Sequence, residues 1–95
     1  MIKHILSTVI VACICTLAVA QTTINGTVTD SLNQPIIGAA VVEKGTSNGR
    51  ITDENGAFSL PVDNPKTTVL VVTYSGYKKR ELAVLGKTTV KIKLS

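Results

Sequence analysis

The groups able to do chemistry in this chain are few and poorly placed to cooperate. Nucleophilic catalysis needs an activating base within hydrogen-bond reach of the attacking group. The one histidine is His4, in the leader-like first residues, so Ser31, Ser47, Ser59 and Ser75 have no imidazole to take a proton. A Ser-Lys pair stays open, but nothing singles one out. Zinc needs His, Cys or a concentrated set of carboxylates, and beyond the leader only scattered acids remain. Asp53-Glu54-Asn55-Gly56 is oxygen-rich, yet it lacks the alternating ligands and distal bidentate Glu of a calcium loop. It reads as a hairpin turn. Gly45-Thr46-Ser47-Asn48-Gly49 has no Gly-Lys-Ser/Thr after it and no helix to aim at a phosphate. The expectation is a chain with no enzyme activity, no metal site and no cofactor.

The elements around these groups are short β-prone runs. Thr22 to Thr29 alternates Ile24, Gly26 and Val28 on one face with Thr23, Asn25, Thr27 and Thr29 on the other. Ile37 to Lys44 carries apolar residues on both faces, which fits a central, doubly covered strand. Arg50 to Thr52 is a short strand. Phe58 to Val62 is an edge strand, because Pro61 cannot donate to a ladder. Thr68 to Tyr74 is the strongest β run and reads as the centre of a sheet. Tyr77 to Val84 is a more polar strand, and Thr88 to Leu94 turns Val90, Ile92 and Leu94 inward. Gly, Asn, Asp and Pro clusters punctuate these runs at nearly even intervals. The reading is all-β: a seven-stranded antiparallel Greek-key sandwich with Val28, Val41, Phe58, Leu60, Val72, Val90 and Ile92 in its core.

Residues 1–20 read as a signal peptide, a leader helix removed on export. Met1-Ile2-Lys3-His4 is a short cationic head, Ile5 to Leu17 an apolar core, and Ala18-Val19-Ala20 a small-residue cleavage site. Cleavage is expected between Ala20 and Gln21, leaving one domain over residues 21–95. Two alternatives are a retained anchor and lipidation at Cys13, where Ile10-Val11-Ala12-Cys13 resembles a lipobox. The run is short for a membrane span, and the sequence after Cys13 stays apolar where a lipoprotein tether turns polar. Cleavage at Ala20 would also remove both cysteines, Cys13 and Cys15, and with them any disulfide.

The formal charge is +4 and falls to +3 without Lys3, too slight to argue for nucleic acid. Phe58, Tyr74 and Tyr77 are the only aromatics, a poor stacking platform for bases or sugars. No small-molecule substrate is evident. Recognition by a sandwich runs through a free strand edge or through loops at one end. Pro61 spoils one edge, and Lys78-Lys79-Arg80 blunts another. The flexible polar segment Gly45, Thr46, Ser47, Asn48, Gly49 and Arg50 is therefore the expected docking loop, its guanidinium able to grip a carboxylate. The competing reading is a solvated connection.

Taken in order, Gly26 to Asp30, Pro35 to Ala39, Val41 to Thr46, Thr52 to Leu60 and Tyr74-Ser75-Gly76-Tyr77 resemble the carboxypeptidase regulatory-like domain. That family has a transthyretin-like sandwich. The likeness is closest to the version preceding the plug of TonB-dependent outer-membrane receptors of the starch-utilisation type. In metallocarboxypeptidases the module carries neither zinc ligands nor the catalytic acid, so no peptidase activity carries over. The resemblance implies an interaction module in the periplasm whose partner is an outer-membrane receptor or another envelope protein. The expectation at the far end, where a receptor would continue into plug and barrel, is a free-standing module or the front of a split or truncated receptor gene. A secreted adhesive domain is the next alternative, and an accessory subunit of a hydrolase the last.

Overall fold

The computed structural model describes residues 21–95, which form a β-sandwich. The expected signal peptide, including Ala20 and the lipobox cysteine, lies outside the described residues. Seven strands follow in order: β1 (Thr22–Thr29), β2 (Ala40–Glu43), β3 (Gly49–Ile51), β4 (Ala57–Val62), β5 (Val69–Thr73), β6 (Arg80–Ala83) and β7 (Thr89–Lys93). One sheet has three strands in the order β4-β1-β7 and the other four in the order β3-β2-β5-β6. Pro61 does sit on an edge strand, and β5 is internal, as their compositions predict.

The inner faces meet as the alternation requires. Ile24, Val28, Leu60, Val62 and Ile92 from the first sheet pack against Val41, Leu70 and Val72 from the second, all essentially without solvent contact. Every residue expected in the core is buried. Fully burying each such aliphatic side chain is worth about 1.5–3 kcal/mol. Gly26 stands in the same inward row, paired with Phe58 on one side and Val90 on the other. The Phe58 ring fills the space that a side chain at Gly26 would take.

Four features depart from the sequence reading. The β1–β7 pairing is parallel, while the other strand pairs are antiparallel. Strand β2 begins at Ala40 rather than Ile37, because Gly38 takes φ +83°, a left-handed angle that ends an extended run. The outer side of β2 also carries no second layer, so its Ala40 and Val42 are half-buried on an open face. Finally, Asp53 to Gly56 is a turn but not a hairpin, since β3 and β4 belong to different sheets.

That turn and the one after β1 are built alike. The carboxylate of Asp30 accepts the N–H groups of Leu32 and Gln34 (2.8 and 2.9 Å), and that of Asp53 accepts those of Asn55 and Ala57 (2.9 and 3.0 Å). The fourth position of each, Asn33 and Gly56, adopts positive φ, 63° and 71°. Asn and Gly are the residues that tolerate this conformation.

Candidate interaction surface

The strand register sorts the loops into two poles. At the pole where β1 begins lie the β2–β3, β4–β5 and β6–β7 connections. At the pole where β1 ends lie the β1–β2, β3–β4 and β5–β6 connections, together with Leu94, whose N–H bonds the Thr29 carbonyl at 2.8 Å.

The expected docking loop belongs to the first pole, and its atoms are engaged in holding the fold. Gly45 turns with φ +82°. The Thr46 hydroxyl donates to Glu43 O (2.9 Å) and accepts from the Asn48 N–H (3.0 Å). Asn48 donates its side-chain amide across the gap between the sheets to Pro61 O at 2.7 Å. Ser47 is exposed. Gly49 and Arg50 are not loop residues at all but the first two of β3. The Arg50 guanidinium bonds the carbonyl of its own neighbour, Gly49, at 2.8 Å. The six residues therefore do not form one exposed cluster. They form a tied turn followed by an edge strand.

On the other open side a second long side chain spans the gap. Arg80 at the start of β6 donates to Lys93 O of β7 at 2.7 Å. Each lateral opening of the sandwich is thus crossed by a polar side chain reaching a backbone carbonyl. Asn48 and Arg80 look like surface residues in the sequence, and no local pattern marks this work.

The second pole is the apolar one. Leu32 (78% exposed) and Ile37 (58%) come from the β1–β2 connection, Ile51 (64%) from the end of β3, and Tyr74 (39%) from the end of β5. Ile51 is held opposite Ala40, which pairs on its other side with Thr73, so the strand ends bring these loops together. The Tyr74 ring stands 6.0 Å from that of Tyr77, tilted by 43°. Among the described residues, the remaining exposed large apolar side chain, Leu85, is at the opposite pole.

The rigid floor of this pole is built around Thr52. Its buried hydroxyl accepts the Ala39 N–H (2.9 Å) and donates to Ile36 O (2.6 Å), while its own N–H reaches Ala39 O at 2.9 Å. One residue thereby fixes the entry to β2 against the exit from β3. Buried polar groups in so small a core need such partners. Among the described residues no three His, Cys, Asp or Glu side chains converge on a metal-sized site. The carboxylate of Asp53, in the oxygen-rich segment that the sequence reads as a turn and not a calcium loop, closes that turn.

Known proteins place this architecture. The sequence model of the CarboxypepD_reg-like domain matches residues 24–95. The TonB-dependent receptor SusC of Bacteroides thetaiotaomicron is 41% identical over 73 residues, which is 77% of this chain and 7% of the receptor. The TonB-dependent receptor P39 of Formosa agariphila is 35% identical over 75 residues, 79% of this chain and again 7% of the receptor. The chain thus spans about 7% of the length of these curated relatives. Among solved structures, two interface mutants of the type II Cohesin-X-Dockerin complex from Acetivibrio cellulolyticus contain a similar fold. Their TM-scores are 0.58 and 0.60 at 26% and 27% identity, covering 76% and 77% of this chain and 51% and 56% of theirs. The sandwich, the ordered motifs and the extent of the match agree, and the chain belongs to the CarboxypepD_reg-like domain family.

Proposed function

We propose that this domain is a non-catalytic docking module working in the periplasm beside an outer-membrane receptor of the TonB-dependent class. One observation carries the reading: Leu32, Ile37, Ile51 and Tyr74, scattered in sequence, all stand exposed at a single pole, where Thr52 ties the approach to β2 against the end of β3. Exposed apolar groups on loops held by a rigid scaffold are how sandwiches meet other proteins. The receptor relatives support an envelope partner. The pole is favoured over the Gly45-to-Arg50 loop, because the Thr46 and Asn48 side chains of that loop are engaged within the domain. Export follows from residues 1–20 acting as a leader cut between Ala20 and Gln21.

The test is photo-cross-linking in the cell envelope from a probe residue at position 37, with the adduct identified by mass spectrometry. The expected adduct contains a TonB-dependent receptor, and Ile51→Ser lowers its yield several-fold while leaving thermal unfolding nearly unchanged. An unaltered yield with Ile51→Ser, together with loss of the adduct on shortening the Gly45-to-Asn48 turn, would overturn the assignment to this pole.

A further inference from the structure

Strand β7 is an edge strand, and its parallel pairing with β1 fixes which of its backbone groups are free. Asn25 N–H bonds Thr88 O and Leu94 N–H bonds Thr29 O, both at 2.8 Å. With the register Asn25↔Thr89 through Thr29↔Lys93, residues 88, 90, 92 and 94 turn their peptide groups toward β1. Thr89 and Lys91 therefore turn both N–H and C=O away from the sheet, and Lys93 turns out its N–H. Only Lys93 O is taken, by Arg80. This is an open ladder position with no proline, unlike the β4 edge.

The charge around that ladder has one sign. Lys87, Lys91 and Lys93 flank it on β7 and its approach, and Lys78, Lys79 and Arg80 lead into the neighbouring edge strand β6. The only acid on either strand, Glu81, is paired with Lys44 at 3.2 Å. Between the β6 and β7 edges lies a cleft of about 140 Å3 whose lining includes Leu82, Val84, Thr89 and Val90. Alternate side chains of an added strand would meet in turn this mixed cleft, to which Lys87 and Lys91 contribute beside Leu82, and the lysine-bearing outer face.

We infer that the β7 edge binds an acidic extended peptide segment by strand addition, its alternate residues acidic and small-apolar. Main-chain bonds to Thr89 and Lys91 supply the affinity, and the lysines select the charge. The same lysines keep two β7 edges from pairing with each other. This inference rests on the docking reading of the domain but uses a surface distinct from the apolar pole.

A short synthetic peptide alternating Glu with Val is titrated into isotope-labelled protein and followed by amide resonances. The expected shifts centre on Thr89, Lys91 and Lys93. Affinity falls about tenfold in the double variant Lys91→Glu with Lys93→Glu and falls as salt is raised. Replacing the peptide's ladder-facing amides by N-methyl amides abolishes binding, a readout that needs no change to the protein. Equal binding by a Lys–Val peptide, indifference to N-methylation, shifts centred on β6 or the apolar pole, or no binding at all would each overturn the inference. Loss of peptide binding with the envelope cross-link from position 37 intact would leave the docking reading standing and this inference refuted.

Discussion

Replacing Gly26 by alanine adds one carbon at the most crowded point of the three-stranded sheet. That carbon would lie 2.5 and 2.6 Å from Cζ and Cε1 of Phe58 and 2.8 Å from Cγ2 of Val90. Ordinary contacts are about 3.5–4.0 Å, so the ring must move by about 1 Å. Phe58 and Val90 are 5% and 7% exposed, with the core behind them. Overpacking of this kind costs about 1–3 kcal/mol. It outweighs the roughly 0.5–1 kcal/mol that removing a glycine from a strand would contribute. A domain of this size is stable by only about 4–11 kcal/mol, so the change is readily measured by urea denaturation followed by circular dichroism. The same substitution in a Phe58→Leu background is the decisive comparison, because leucine ends at Cδ and lacks both clashing ring atoms. The two changes should couple by about 1–2 kcal/mol, the double variant being less destabilised than the sum. A neutral or stabilising Gly26→Ala, or an equal cost in both backgrounds, would refute the seating of the ring on Gly26.

Thr52→Val keeps shape but orphans the Ala39 N–H and the Ile36 carbonyl, and should cost about 2–4 kcal/mol in the same denaturation assay; Thr52→Ser should cost far less. Gly56→Ala puts its new carbon 2.5 Å from the Val28 carbonyl oxygen at φ +71°, whereas Gly45→Ala meets nothing within 4 Å at φ +82°. The first should cost on the order of 3 kcal/mol or more and the second about 1 kcal/mol, compared by midpoint of thermal unfolding. Intact-mass measurement of the exported protein should give a chain beginning at Gln21, unaltered by Cys13→Ser; a lipid-bearing mass lost with that substitution would establish the lipobox instead.

Much of the fold was legible because it is written in neighbouring residues. Ile24 and Val28 alternating with Thr23, Thr27 and Thr29 mark both the extent and the faces of β1, and Pro61 marks an edge. Gly38 was the missed breaker of β2: an isolated glycine looks the same in sequence whether its φ is negative or, as here, +83°. The parallel β1–β7 pair was hidden for another reason, since direction between distant strands is set by the whole connectivity and not by either segment. The proposed interaction surface was the least legible part. Ile37 and Ile51 have the composition of core residues, and Ala40 with Val42 reads equally well as a covered or an open face. Only the register shows that they stand together in solvent. Arg50 reads in sequence as a cation in a glycine-rich loop, whereas the fold places it on a strand and bonds it to its own neighbour.

The parallel pairing of β1 with β7 has a mechanical meaning. The chain enters β1 at one pole and leaves β7 at the other. Tension drawn between those two points runs along the strands, in opposite senses on the two partners. The bonds from Asn25 to Thr29 must then slide and fail together rather than open one after another, as they would in a hairpin pulled from its open end. A domain joined in this way between a moving segment and a fixed one would carry load as a stiff link.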